Sequence, residues 1–183
     1  MAERTMVVFK PDSVERGLVG EIMARFERAG LRIVGSKTLT VTEEFVSHHY
    51  PDKPDFLRSM GMKTLENYAE DGLDPIKELG TDDPVKIGSQ IRRWNMEFLS
   101  RGSVIAFVLE GNHAVANVRR LVGKTIPSMA ESGTIRGDYS VDSSILANRE
   151  KRAVQNLVHA SGTVEEAQEE IKLWFKPIEL VKS

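Results

Sequence analysis

The sequence predicts an α+β fold, and three observations carry that prediction. Two strand-like runs, TMVVF at 5–9 and SVIAFVL at 103–109, are each followed by a segment with apolar residues at helical spacing. A third, imperfectly alternating run follows the first of those helices. At 183 residues, 40% hydrophobic and 28% charged, the chain has the length and composition of one globular domain.

Residues 5–9 are β-branched or aromatic for most of their length, and Lys10-Pro11-Asp12 ends the strand. Pro11 cannot donate to a ladder and holds Lys10 extended, so Lys10 is a cation on the stiff end of a buried strand. In GLVGEIMARFERAG, residues Leu18, Val19, Ile22, Met23 and Phe26 share one helical face, and Gly30 suits the cap. Residues 31–41 are expected to form the second strand and 43–50 a short helix.

From 51 to 101 the composition shifts to Pro, Asp, Gly and Lys with weaker periodicity. Asp83-Pro84 opens one clear helix there, with Ile87, Ile91, Trp94 and Phe98 on one face. This region reads as a helical insertion, serving as a lid or an assembly contact, rather than as part of the sheet.

SVIAFVL is continuous enough to be a central strand. The helix after it, 114–122, leaves Arg119 and Arg120 as a basic pair, and a Gly- and Ser-rich loop follows with Lys124, Thr125 and Arg136. Residues 134–141 are expected to form the last strand, and 143–152 a polar connection within a shorter insertion at about 141–152. The final helix, 164–174, starts with the capping-box pattern Thr163-x-x-Glu166 and buries Val164, Ala167, Ile171 and Trp174. This order matches two βαβ halves in the ferredoxin-like βαββαβ plan, a four-stranded antiparallel sheet with helices on one side.

A formal net charge of −2 speaks against a nucleic-acid coat or a binder of anionic membranes. The absence of cysteine excludes disulfides and thiolate chemistry. No apolar run approaches the roughly 20 residues of a membrane span, and the short apolar N-terminal stretch does not read as a signal sequence, so a cytoplasmic location is expected. GKT at 123–125 is no P-loop, because Val118 stands where that motif needs glycine.

NLVHAS, 156–161, holds the histidine placed like a catalyst. His159 brings an imidazole, Asn156 a carboxamide and Ser161 a hydroxyl, just ahead of a helix start that favours anions. His48, His49 and His113 read as surface residues. Lys10, Arg119 and Arg136 add three cations, with Thr125 and Asn156 as neutral donors, a set suited to phosphoryl transfer.

At these residues the sequence resembles the nucleoside diphosphate kinase family. FKPD and RGLVGEI, GKTIP through SGTIRGD, NLVHAS, and EEIKLWFKP occur in order along nearly the whole chain. The resemblance implies a phosphotransferase that moves the γ-phosphoryl group of a nucleoside triphosphate to a nucleoside diphosphate by a ping-pong relay through a phosphohistidine. It assigns His159 as the nucleophile, with Glu170 orienting the imidazole and Ser161 close to it. Lys10, Tyr50, Arg119, Thr125, Arg136 and Asn156 are carried over as nucleotide-site residues. Magnesium is expected on the nucleotide phosphates, since no spacing of His, Asp and Glu suggests a protein metal cage. ATP and other nucleotides are the implied partners, a homo-oligomer (hexamer or tetramer) the implied assembly.

The sequence departs from that family in three places. The stretch between Tyr50 and Gly102 is enlarged where an aromatic residue should stack on the base, leaving Phe56, Tyr68, Trp94 and Phe98 as candidates. There is extra chain between Asp138 and Asn156, and Ala160 and Gly162 replace an expected glycine and aspartate. The assigned residues address phosphate, so discrimination by base is expected to be weak. A scaffold that binds nucleotide without turnover is disfavoured by the intact Lys10, Asn156 and His159. A nucleic-acid binder is disfavoured because SVIAFVL offers Phe107 without a basic-aromatic signature.

Overall fold

The computed structural model describes residues 2–182. Four strands, β1 (Glu3–Phe9), β2 (Arg32–Thr40), β3 (Ser103–Gly111) and β4 (Val158–Ala160), form one sheet in the order β2-β3-β1-β4. All three pairings are antiparallel, and β4 is an edge strand. The ferredoxin-like plan read from the sequence is therefore the fold.

Helices cover both faces, not one. Along β1, Val7 and Phe9 join a core with α2 (Val19–Arg28) and α7 (Ala114–Val122), while Met6 and Val8 point into a second core. The second is closed by α3 (Glu43–His49), α6 (Pro84–Ser100) and α10 (Val164–Trp174). The uninterrupted apolar run of β1 was the trace of this arrangement, because a strand buried on both sides has no polar face to alternate with.

One long helix, α4, and several short ones complete the chain. α1 (Pro11–Glu15) starts where Pro11 ends β1, and α4 (Pro54–Glu70) and α5 (Pro75–Leu79) precede α6. α8 (Ile135–Tyr139) and α9 (Ser144–Arg149) lie between α7 and β4. Residues 134–141 are thus not the last strand. The Thr134 hydroxyl accepts from Gly137 N at 3.2 Å and caps a single helical turn, and Arg136 is drawn inward. Residues 143–152 are likewise not a plain connection, since Ser143 caps α9 through Leu146 N. The last strand is Val158–Ala160, which puts His159 on the sheet edge, just ahead of the start of α10.

Candidate active site

β4 lies beside β1 with His159 opposite Val8 and Val158 opposite Phe9. The strand carrying His159 is therefore held against the strand that delivers Lys10. Immediately upstream, Val158 N donates to Asn156 O at 2.8 Å around Leu157, whose φ is +71°. This is a γ-turn of the strained positive-φ kind.

Two hydrogen bonds from the KPD segment hold the turn. Lys10 N donates to Leu157 O at 2.9 Å, and Leu157 N donates to Asp12 Oδ2 at 3.0 Å. Asp12 is buried, and burial pushes its carboxyl pKa up against the pull of Lys10. In the sequence this carboxylate stands in FKPD, two residues after Lys10, and that spacing is the signal for it.

Lys10 is buried, with Nζ donating to Asn156 Oδ1 at 2.8 Å and lying 5.9 Å from the centroid of the Phe98 ring. Burial, assisted by Arg136 and opposed by Asp12, lowers the ammonium to a pKa of about 8. Asn156 Nδ2 in turn donates to the Thr125 carbonyl at 2.8 Å. The Arg136 guanidinium donates to three backbone carbonyls, Asn156 O at 3.1 Å, Gly123 O at 3.1 Å and Val158 O at 2.8 Å. Two of its five N–H groups remain for a ligand. Burial, and then Arg119, bring its pKa down to about 10.

His159 Nε2 lies 2.7 Å from Glu170 Oε1. With the carboxylate ionised, Nε2 carries the proton and Nδ1 keeps its lone pair. Nδ1 has no hydrogen-bond partner among the described residues. The other oxygen of Glu170 accepts from the buried Ser161 hydroxyl at 2.6 Å. Burial works against the charge on Glu170, but His159, His49 and the Ser161 hydroxyl outweigh it and hold the carboxyl at about 2.

His49 is not a surface residue. It is buried, with its ring edge-on to His159 at a centroid distance of 4.4 Å. Trp174 Nε1 donates to His49 Nδ1 at 3.3 Å, which leaves the proton on Nε2, buried and without a partner among the described residues. Burial, followed by His159, drops the His49 pKa to about 3, so this imidazole stays neutral. Donor atoms of His49, His159 and Glu170 come within 4.8 Å of one another. They arrive from α3, β4 and α10, so no spacing in the chain announces the group. His48 and His113 are exposed, as expected.

These groups border a cleft of about 580 Å³. Lys10, Tyr50, Arg119, Thr125, Arg136, Asn156 and His159 all line it, with Glu170 and Ser161 behind the imidazole. Arg119 and Thr125 are exposed, and Tyr50 is buried, its hydroxyl pKa raised by burial. Of the four candidate aromatics, Trp94 lines the cleft. Phe98 sits under Lys10, Tyr68 is buried with its hydroxyl accepting from Asn148, and Phe56 packs on the second core. Beyond His159, the capping-box glutamate reaches back one residue further than the motif requires: Thr163 Oγ1 accepts from Glu166 N, and Glu166 accepts from Gly162 N at 2.8 Å.

A family model described as nucleoside diphosphate kinase matches residues 3–61 and 90–180. A nucleoside diphosphate kinase of Pyrobaculum aerophilum is 49% identical over 180 residues, covering 98% of both chains. One from Thermus thermophilus is 37% identical over 182 residues, covering 98% of this chain and 99% of the relative. Among solved structures, an NDP kinase from Pyrobaculum aerophilum superposes with a TM-score of 0.94 at 47% identity over the full length of both chains. A Borrelia burgdorferi nucleoside-diphosphate kinase, a transition-state mimic with bound vanadate and ADP, gives 0.78 at 31% identity, covering 100% of this chain and 92% of the other. With both matched segments carrying the cleft residues around His159, the chain belongs to the nucleoside diphosphate kinase family.

Proposed function

We propose that the protein transfers the γ-phosphoryl group of a nucleoside triphosphate to a nucleoside diphosphate through a phosphohistidine at His159. One observation carries this reading: the 2.7 Å contact of Nε2 with Glu170 leaves Nδ1 as the free nucleophile in a cleft lined by Lys10, Arg119 and Arg136.

The Nδ1 lone pair attacks the γ-phosphorus. As the N–P bond forms, the bond from phosphorus to the bridging oxygen breaks, and the nucleoside diphosphate leaves with that electron pair. Glu170 balances the positive charge that develops on the ring. A second nucleoside diphosphate then attacks the phosphorus through a terminal β-phosphate oxygen, the N–P bond breaks, and Nδ1 recovers its lone pair. Splitting the transfer into two displacements at one imidazole removes the need for two dilute nucleotides to meet.

Lys10, Asn156, Arg119 and Thr125 hold phosphate and ribose oxygens, with the two spare donors of Arg136. Tyr50 packs beside His49 at a ring distance of 4.7 Å and closes the wall. Half-buried Ile91, backed by the buried Trp94, supplies the apolar face for the base. The substrate is the magnesium complex of the nucleotide: the residues around the phosphate end are cations and neutral donors, which grip phosphate oxygens and leave the metal to the phosphates themselves. Bound there, the ion adds charge neutralisation on those oxygens.

We further read the chain as one domain with a helical insertion at about 51–101 and a shorter one at about 141–152. The gap at 62–89 between the matched segments supports the first at narrower bounds. A cytoplasmic homo-oligomer, hexamer or tetramer, acting on nucleotides without nucleic acid or membrane, completes the reading. No helix among the described residues is long and apolar enough to cross a membrane.

Incubation with γ-labelled ATP and Mg2+, removal of nucleotide, and addition of GDP tests the relay. Acid-labile label on the protein that moves to GDP, and is absent from His159→Ala, is the expected result. An unlabelled wild-type protein overturns the reading.

A further inference from the structure

One wall of the cleft is built from chain that the family model does not match. Residues 62–89 fall between its two matched segments, and α4 runs into them. Lys63, Glu66 and Asn67 of α4 all line the cleft. Their i, i+3, i+4 spacing puts the three side chains on one helical face. None of the three has a side-chain hydrogen bond or ion pair among the described residues.

That face is rigidly held. α4 meets α6 backbone to backbone at Gly61 and Gly88, where an added Cβ would fall 1.8 Å from Pro84 O and 1.9 Å from Leu57 O. From α9, Asn148 Nδ2 donates to the buried Tyr68 hydroxyl at 3.1 Å, and Arg149 makes two 2.8 Å bonds to Glu78. The fixed backbone sets where the row stands, and its unpartnered side chains keep their donors and acceptors free for a ligand.

We propose that this wall reads the base and makes guanine nucleotides the preferred acceptors. The proposal rests on the nucleotide reading of the cleft. Half-buried Ile91, packed on the buried cluster of Trp94, Phe98 and Ala153, gives the cleft an apolar face on which a base rests, and the α4 row meets the edge of that base. An ionised carboxylate only accepts hydrogen bonds, so Glu66 pairs with an edge offering two adjacent donors. Guanine does this with N1–H and its 2-amino group. Adenine and cytosine place a lone-pair nitrogen beside their amino group, and uracil flanks its one N–H with carbonyls, so each turns a lone pair towards the carboxylate. Lys63 and the Asn67 amide supply donors for guanine O6. This is the recognition that the weak discrimination expected from the phosphate-site residues leaves out. Glu66 and Lys63 are exposed, so water competes and the preference is about tenfold, well short of what a dry hydrogen-bonding site achieves.

The test uses the full chain, phosphorylated with ATP and freed of nucleotide, then mixed with GDP, ADP, CDP or UDP and Mg2+ while dephosphorylation is followed. GDP is expected to react about tenfold faster per unit concentration than each of the others. Glu66→Gln should bring that ratio towards one, whereas Glu70→Gln, on the same helix but outside the cleft, keeps it. Equal rates with all four acceptors, or a guanine preference that survives Glu66→Gln, overturns the base assignment and leaves the phosphohistidine relay standing. A wild-type protein that never forms the phosphoenzyme takes down both.

Discussion

In the proposed relay, Glu170 selects the reacting imidazole nitrogen through its 2.7 Å contact with Nε2, as a charge as well as an acceptor. Glu170→Gln retains an oxygen able to accept from Nε2–H but loses the charge that offsets the phosphorylated ring. We expect kcat to fall on the order of a hundredfold, about 3 kcal/mol, with nucleotide KM little changed; steady-state kinetics distinguishes this from a loss of binding, which would raise KM instead. Lys10 gives a pH signature. Its ammonium, brought down to about 8 by burial, deprotonates above that pH, so kcat/KM should fall by up to about tenfold per unit. Lys10→Arg should carry the limb to higher pH. Unfolding does not imitate this limb: with the folded pKa at about 8 and the ordinary value at 10.5, the unfolded chain binds more protons between them, and this group's contribution to stability rises with pH there. His159, Lys10 and Asn156 were legible because their chemistry sits at breaks in the apolar pattern. His49 was not: beside His48 in a short helix it looks like surface, and only the fold of α3 onto α10 buries it against Trp174.

Helices marked by both a cap and a strong apolar stripe were read with their bounds, while the weakly striped α4, 17 residues long, and the shortest elements were not. The helices over 114–122 and 164–174 have the observed limits, because a cap and several turns of apolar spacing mark both. β4 has three residues, too few to show alternation, while Thr, Ile, Tyr and Val within 134–141 imitated a strand that a single Thr134 cap converts to a helical turn. The pairing of α4 with α6 was equally hidden, since it rests on two glycines rather than on an apolar stripe. Adding a methyl at Gly88 would meet the Leu57 carbonyl 1.9 Å away, and helix backbone does not yield as a side-chain tip does. Gly88→Ala should cost about 1–3 kcal/mol and lower the calorimetric Tm by several degrees, with roughly 2–4 °C per kcal/mol at this chain length. An unchanged Tm would show that the two helices separate freely. The contrast is Glu78→Ala, which removes a pair in which Arg149 is largely exposed and should cost less than about 1 kcal/mol.

At the scale of the molecule the two cores of the sheet and the cluster around Trp94 draw on no residue from 62–89. The sequence showed this stretch as a change of composition, but not that α9 would pack against it, because Tyr68 and Asn148 are 80 positions apart. Burial of Tyr68, Thr64 and Ile87 stabilises the added wall and its seam with α9, while the sheet keeps its own partners on both faces. Removing 62–89 and joining 61 to 90 by a flexible Gly-Ser linker should therefore leave a folded protein with a single cooperative thermal transition at lower Tm. Circular dichroism should lose helix and retain the strand signal, and Asn148, deprived of the Tyr68 hydroxyl, should exchange its surroundings for solvent. If the transition instead broadens or vanishes, the wall is part of the folding unit and the sheet does not stand without it; a sharp transition means that the nucleotide site is carried by a self-sufficient sheet and that the wall is an addition whose work is done at the mouth of the cleft.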